Sequence, residues 1–482
     1  MESRNVRIAG AARRRSRRRD RLRDSLDYRA AFLDVHACPT GRGPLQAGTG
    51  NRNMALYVQK YGGSSVADAK CVMNVAERIL RTRRAGHDVV VVVSAMGDAT
   101  DDLIALARQV NPDPNPREMD VLLATGEQVS IAILTMGLHR LGAEAISFTG
   151  PQAGIVAENV HLKGRILDVR PDRIRAALAR GQIVIVAGFQ GRGDADDVVT
   201  LGRGGSDMTA VALAWALKAD RCQFYKDVDG VFTSDPRVVP EARKLNEISY
   251  DEMLELASMG AAVLQSRAVE FAKAYGVTLE VRSSFGDRQG TIVKEEVRAM
   301  ENIVVRGVAS DKKQAKVTLL KVPDRPGIAA DIFNAVAAAN INVDMIVLNV
   351  SRHGQVADLS FTVPETDLKQ TLKVVQAVVP EVSSTGVTHD SDIAKISIVG
   401  VGMRSHSGIA ARMFSALAAN GIDIHMISTS EIKISVVISK HQADEAVRML
   451  HREFRLETQA PVAKTAGREA GSRARRSMRR KG

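Results

Sequence analysis

Cysteine is scarce in this chain. Cys38, Cys71 and Cys222 are the only three, odd in number and far apart, which excludes a disulfide framework and offers no paired spacing for a zinc site. A reducing, cytoplasmic setting is expected. Aromatic residues are also few, at 4%, so the cores are expected to be built mainly from Val, Ile, Leu and Ala. No continuous apolar run approaches the roughly 20 residues that span a bilayer. The longest strand-like stretch, residues 89–93, soon meets Ser94 and Gly97. A soluble protein without a membrane partner is expected. The histidines His139, His161, His353, His406, His425 and His441 show no metal-ligand spacing, and surface or satisfied structural roles are their default. Met253, Met259, Met345 and Met426 read as core filler.

What the chain has in excess is positive charge, with a formal net charge of +12 over 482 residues. Its location decides its meaning. Residues 1–53 carry 13 Arg against 5 acids, residues 458–482 carry 8 basic residues against 1 acid, and the body between them is left at −3. The basic balance therefore describes two tails rather than a nucleic-acid-binding fold. The first tail, with its run from Arg13 to Arg19, reads as a nucleic-acid arm, a targeting segment, or sequence upstream of a true start at Met54; the last is preferred. Asp20, Asp24 and Asp27 argue against an acid-poor transit peptide.

A chain of this length is too long for one compact core and suits two to four domains. From Met54 strands alternate with helices. Residues 55–59, 89–94, 145–148, 183–187 and 221–225 read as strands. Residues 66–83, 121–141, 171–180 and 209–218 read as helices. Such alternation implies an α/β domain with a mostly parallel sheet covered by helices on both faces, and ligands bind such sheets where strand ends meet helix starts.

Two glycine-rich junctions stand at such places. In Lys60-Tyr61-Gly62-Gly63-Ser64-Ser65, glycines allow close backbone approach to an anion, a following helix N-terminus offers free N–H groups, and Lys60 adds a full charge. This suits a phosphate, although the spacing is neither that of a Walker A loop nor of a dinucleotide fingerprint. In Gly202-Arg203-Gly204-Gly205-Ser206-Asp207, a cation, an anion and a hydroxyl sit beside free backbone donors, which suits a zwitterionic substrate. Two such loops in one domain point to phosphoryl transfer, where catalysis relies on positioning and charge neutralisation.

The last third contains an internal repeat. RPGIAADIFNAVAAANINVDMI from Arg325 and HSGIAARMFSALAANGIDIHMI from His406 align without gaps at an offset of 81, pairing Gly327 with Gly408, Phe333 with Phe414, Ile341 with Ile422 and Met345 with Met426. Each copy reads strand, Gly turn, helix, strand, then a hairpin and helix, and exposes a strand edge able to pair with another copy.

Together with VQKYGGSSV, VVVSAMG, LLATGEQVSIA, GFQG, TLGRGGSD, DVDGVFTSDPR, ISYDEMLELASMGA and VGVGMRSHSG, these features make residues 54–456 resemble the bacterial aspartokinases, of the amino-acid-kinase fold with tandem ferredoxin-like ACT modules. The resemblance implies a catalytic domain at 54–300, ACT modules at 301–390 and 391–457, and basic disordered ends at 1–53 and 458–482. It implies ATP-dependent phosphorylation of the L-aspartate side-chain carboxylate to 4-phospho-L-aspartate, with Mg²⁺ bridging the phosphates. Nothing after the second repeat resembles a homoserine dehydrogenase, so a monofunctional kinase is implied.

The same resemblance gives expected roles. Lys60, with Gly62 and Gly63, would stabilise the transferring γ-phosphoryl group, and Asp207 would orient Lys60 or the substrate ammonium. Glu127 would hold that ammonium and Arg203 the α-carboxylate, with Ser94, Thr100, Gly204 and Ser206 on the substrate side. Tyr61, Lys226, Asp227, Gly230, Asp235, Pro236 and Arg237 complete the ATP site. Asp324, Gly327, Ile328, Asn342, Val343 and Asp344 would form an effector pocket for lysine, threonine or both, and the ACT edges would join subunits into a homo-oligomer. Two positions depart from the family: Lys226 stands where Thr is common, and Leu348 where Gln is common. Two alternatives remain, an amino-acid-sensing paralogue with altered catalysis and a kinase for glutamate, acetylglutamate or carbamate.

Overall fold

The computed structural model describes residues 54–258, 263–295, 304–350, 356–406 and 408–458. The segment 1–53, the tail from 459, Met259 and His353 lie outside these residues.

In the first lobe, β1 (Leu56–Tyr61) leads through a short 3-10 turn to α1 (Ala69–Arg84) and β2 (Asp88–Val93). Two helices follow, α2 (Ala99–Val110) and α3 (Pro116–Arg140), and then β3 (Ala145–Phe148). A small excursion contributes β4 (Ile155–Ala157) and β5 (Ile166–Val169) before α4 (Asp172–Ala179) and β6 (Ile183–Ala187). It resumes with β7 (Gln190–Arg192) and β8 (Val198–Thr200), ahead of α5 (Gly205–Leu217) and β9 (Arg221–Lys226). The lobe closes with β10 (Glu247–Ser249), α6 (Tyr250–Ser258), α7 (Ser266–Tyr275), β11 (Leu279–Ser283) and β12 (Thr291–Lys294).

Eight strands form one sheet in the order β10-β12-β11-β9-β1-β2-β6-β3, parallel except where β11 meets β12. The valine run of β2 is buried throughout because helices cover both faces. Val90 and Val92 join Val184, Val186 and the α5 residues Met208–Ala214 on one side. Val89, Val91 and Val93 join Ile131, Leu134 and Leu138 of α3 and Val72, Val75 and Ile79 of α1 on the other. A fully buried leucine such as Leu134 contributes about 1.5–3 kcal/mol through transfer from water. The excursion makes a separate four-stranded flap in the order β5-β4-β7-β8.

Helix α3 is long and apolar enough, by length and composition, to cross a membrane, which a search for unbroken apolar runs overlooks. Here its inner side packs on the sheet, and two of its buried side chains are the carboxylates Asp120 and Glu127.

The repeated region forms a second, six-stranded antiparallel sheet. Its elements are β13 (Gly307–Pro323), α8 (Ile328–Ala338), β14 (Ile346–Val350), β15 (Val356–Pro364), α9 (Leu368–Val378), β16 (Gly386–Val399), α10 (Ile409–Ala419), β17 (Met426–Thr429), β18 (Lys433–Ser439) and α11 (Ala443–Glu453). The order is β14-β15-β13-β16-β18-β17. Strands β13 and β16 are long and paired along nearly their whole length, with register shifts at Asp311/Gln314 and Gln314/Lys316. Beyond the shifts, Ala315, Val317 and Leu319 pack in the first module with Phe361 and Val375. Before them, Val305 and Val308 pack in the second with Ile396, Ile398 and Leu450. The second module thus takes the first half of β13 from the start of the region and is assembled from both ends of it. The edges left open are β14 and β17, while the central strands pair within the chain.

The second module also docks on the first lobe. Val239 lies in its core, Val308 donates its N–H to Thr233 O at 2.8 Å, and the buried Thr233 hydroxyl meets His451 Nε2 at 2.9 Å. Lys433 pairs with Glu255 at 2.7 Å.

Gly400 sits where this module meets the segment before β13, with ordinary extended backbone, and a Cβ there would lie 2.2 Å from Val304 O. Gly400→Ala is therefore expected to destabilise the regulatory region by about 1–3 kcal/mol, read as a lowered thermal or denaturant midpoint.

Candidate active site

Alternation along two strands brings the site together. Val58, Cys222 and Phe224 face the core covered by α5, so Lys60 and Lys226, each two residues further on, project from the same face at the strand ends. The first turn of α5 meets them there. Asp207 Oδ1 accepts from Lys60 Nζ at 2.7 Å, and Oδ2 lies 3.4 Å from Lys226 Nζ. Lys60 and Asp207 are almost wholly buried, with side chains 6% and 3% exposed. Burial raises the Asp207 carboxyl, but the ammonium groups of Lys226 and Lys60 outweigh it and hold the pKa at about 2. Burial lowers the Lys226 ammonium from its ordinary value, against the opposing pull of Asp207. The carboxylate therefore stays ionised between two ammonium groups.

A cavity of about 480 Å³ opens beside this triad. Lys60, Lys226 and Asp207 line one part, and Ser94, Thr100, Glu127, Arg203, Gly204 and Ser206 line the rest. All eight catalytic and substrate-side residues expected from the sequence thus share one cavity. Glu127 is buried rather than capping its own helix turn. Its Oε1 accepts from Ala95 N at 3.0 Å, whereas Oε2 has no partner. Burial pushes its pKa up to about 7, against the Ala95 hydrogen bond and the Lys60 charge. Arg203 makes no salt bridge with Asp207, which is taken by the lysines; it is exposed at the cavity with no ion-pair partner among the described residues. Gly204, at φ 77°, caps α5 without a side-chain hydrogen bond, and of the first-turn N–H groups Gly205 N donates to Gly202 O at 2.9 Å.

The nucleotide side is organised differently from expectation. The first glycine junction does not open directly into an α-helix. It forms a 3-10 turn at Gly63–Val66, and α1 starts only at Ala69, where Asp68 accepts from Cys71 N at 2.7 Å and satisfies the helix terminus. Gly63 is required by the protein itself, since a Cβ would lie 2.8 Å from both Ala95 O and Gly97 O. Gly62 has room, its nearest neighbour being Lys60 Nζ. Tyr61 is fully buried and stacks on Tyr225 at 4.5 Å, so only its backbone can face a nucleotide. Asp227, Gly230, Asp235, Pro236 and Arg237 do not line the cavity. Asp235 and Arg237 pair with each other at 2.7 Å near the surface, and Gly230 lies against Thr291 and Lys244.

In the regulatory region, Asp324, Gly327, Asn342 and Asp344 are exposed, Val343 is half-buried and Ile328 is buried. Asp344 is paired with Lys395, an almost wholly buried lysine on β16 in the half that belongs to the second module. That ion pair joins the modules at the expected pocket, and no spacing in the sequence announced it.

A second arrangement escaped sequence reading. Asp120, fully buried on α3 and seven residues before Glu127, accepts from His161 Nδ1, Leu162 N and the Thr200 hydroxyl. The two-turn spacing to Glu127 was the only signal available.

Comparisons with known proteins agree with this architecture. The amino acid kinase family matches residues 55–283, and ACT domains match 316–379 and 396–454. The chain is 53% identical over 407 residues to the aspartokinase of Mycolicibacterium smegmatis, covering 84% of this chain and 97% of that protein. It is 50% identical over 421 residues to the aspartokinase of Corynebacterium glutamicum, covering 86% and 100%. Among solved structures, Escherichia coli aspartokinase III in complex with aspartate and ADP, in the R-state, aligns with a TM-score of 0.71 at 25% identity, over 83% of this chain and 99% of that one. The same enzyme with lysine and aspartate, in the T-state, gives 0.66. On the shared site-bearing lobe, the paired ACT modules and identity at this level across nearly whole relatives, the chain belongs to the aspartokinase family.

Proposed function

We propose that the cavity binds L-aspartate between Glu127 and Arg203 and carries its side-chain carboxylate to the γ-phosphoryl group of ATP beside Lys60. The observation that supports this most is the presence in one cavity, which ends at the Lys60 and Lys226 ammonium groups, of Glu127 Oε2, buried without a partner, and the exposed Arg203 guanidinium, without an ion-pair partner among the described residues. A zwitterion satisfies both, and the ammonium groups suit phosphate oxygens.

The reaction needs no protein base, because a carboxylate with an ordinary pKa near about 4 is already ionised. One carboxylate oxygen attacks the γ-phosphorus, the bond from that phosphorus to the β,γ-bridging oxygen breaks, and ADP leaves with the bond electrons. The product is the mixed anhydride 4-phospho-L-aspartate. Lys60 and Lys226 stabilise charge spread over the transferring oxygens, and Asp207 fixes both before substrate arrives. Among the described residues no cluster of three or more His, Cys, Asp or Glu side chains suits a metal. Mg²⁺ would therefore be held mainly by the nucleotide phosphates and would supply charge neutralisation there. Asp227, Gly230, Asp235, Pro236 and Arg237 would grip the rest of ATP once their loop closes on it.

Lysine and threonine are the effectors proposed for the module junction near Asp324, Gly327, Ile328 and Asn342–Asp344. Their signal has a physical route, since Thr233 in the ATP-side loop is bonded to both β13 and His451 of the second module. The open strands β14 and β17 are the proposed edges for joining a second copy.

The direct test is ATP turnover with Mg²⁺ and L-aspartate, compared with L-glutamate and measured with and without lysine plus threonine. Turnover requires aspartate, and Lys60→Ala lowers kcat by about 10²–10³-fold; turnover independent of aspartate would sink the reading. Binding the ammonium requires ionised Glu127, and its raised pKa favours the neutral form below about pH 7. The aspartate KM therefore climbs as pH falls from about 8 to about 6, and Glu127→Gln raises KM about 10–100-fold while abolishing that pH limb. Asp207→Asn leaves two buried ammonium groups without a counter-charge and costs about 3–5 kcal/mol of stability, measured by denaturant unfolding.

A further inference from the structure

Side chains tie the flap β5-β4-β7-β8 to α3 at three places: Arg117 with Asp197, Gln190 with Ala124 O, and, beside the cavity, the carboxylate of Asp120. Asp120 is fully buried and accepts hydrogen bonds from three donors on two segments, the 161–162 turn and β8. His161 Nδ1 lies 2.7 Å from Oδ2, Leu162 N lies 3.1 Å from Oδ1, and the Thr200 hydroxyl at the end of β8 donates to Oδ1. Leu162 is held at φ 65°, a left-handed conformation that a leucine adopts only when its surroundings fix it. Its carbonyl oxygen is also placed: a Cβ on Gly202 would lie 3.1 Å from Leu162 O. Gly202, at φ 72°, is the residue before Arg203.

A chain of fixed contacts therefore runs from Asp120 through the 161–162 turn and Thr200 to Gly202 and Arg203. Leu162, Thr200, Gly202 and Arg203 all line the cavity, whereas Asp120 does not. The same helix carries Glu127 two turns later, on the other side of the substrate. We infer that Asp120 and His161 are positioning residues for the α-carboxylate end of the acceptor site: they set the Arg203 loop at the separation from Glu127 that a zwitterion of one length requires. This rests on the reading of Arg203 as the α-carboxylate anchor.

The mechanism explains why a buried carboxylate is tolerated there. Three donors satisfy it, so its desolvation cost is offset, and removing its acceptor capacity loosens the 161–162 turn and the end of β8 while Arg117–Asp197 and Gln190–Ala124 still hold the rest of the flap. Asn at this position keeps the volume but retains one acceptor oxygen and places donors against donors.

The test uses the full chain, with kinetics on Asp120→Asn and His161→Gln. His161 is partly exposed, so the second variant remains informative if the first fails to fold. The expected result for Asp120→Asn is an aspartate KM raised about tenfold, with kcat and the ATP KM changed less than about twofold, and a smaller shift in the same sense for His161→Gln. Competitive inhibition separates positioning from general damage. Succinate, which keeps both carboxylates, weakens in parallel with aspartate, whereas 3-aminopropanoate, which lacks the α-carboxylate, binds as to the wild type. Unaltered aspartate KM in both variants, or parallel loss of kcat, ATP KM and 3-aminopropanoate inhibition, overturns the positioning role alone. A wild-type chain without aspartate-dependent turnover overturns instead the reading of the whole site.

Discussion

The site depends on one buried ion pair, Lys60 with Asp207, and on the second ammonium, Lys226, that shares the same carboxylate. Two buried lysines at adjacent strand ends would repel each other and lose hydration; a carboxylate between them makes the arrangement tenable. The carboxylate is placed by the N-terminus of α5, and α5 in turn is buried over most of its length against the central strands. The hydrophobic core under α5 and the charge geometry at its end are thus one construction. Packing fixes the helix, the helix fixes Asp207, and Asp207 fixes the two groups that face phosphate.

Helix α3 has the corresponding role for the acceptor. It spans both walls of the cavity, with Glu127 tied to the loop after β2 through Ala95 N and Asp120 tied to the flap. Gln190 of β7 adds a third tie by donating to Ala124 O at 3.0 Å. A helix apolar enough to suit a membrane becomes the polar organiser of the site because two of its carboxylates, Asp120 and Glu127, are buried and find donors from other elements. The glycine at 63 belongs to the same logic. Its missing side chain lets the Ala95–Gly97 loop approach β1's exit, which brings Ser94 beside Lys60.

The regulatory region reaches this lobe through the loop between β9 and β10. Thr233 is the joint, bonded to the second module's sheet and to His451, while the Asp235–Arg237 turn lies two residues on. The first module shares β13 and β16 with the second, and Lys395 of the second holds Asp344 of the first. A ligand that altered the Asp344 contact would act on β16, the strand paired with the β13 segment hydrogen-bonded to Thr233. Linkage of that kind needs no long-range wire, only two arrangements of one sheet.

Much of this was determined by the sequence alone. Alternating strand and helix patterns, the β-branched run of β2 and the 81-residue repeat follow from local periodicity, which one chain displays without help. The motifs around Lys60, Glu127 and Arg203 named the groups that line the cavity. Tertiary structure decided the rest, because burial and pairing across long separations leave no local mark. It made Glu127 a half-satisfied buried acid, gave Asp207 to two lysines, and kept Tyr61's ring in the core. It also gave the first half of β13 to the second module, since a register shift in β13 is a property of the partner strand as much as of its own residues. Asp120 and His161, 41 residues apart, were invisible for the same reason: a hydrogen bond between distant segments is set by where the chain returns, and only the folded sheet and helix fix that.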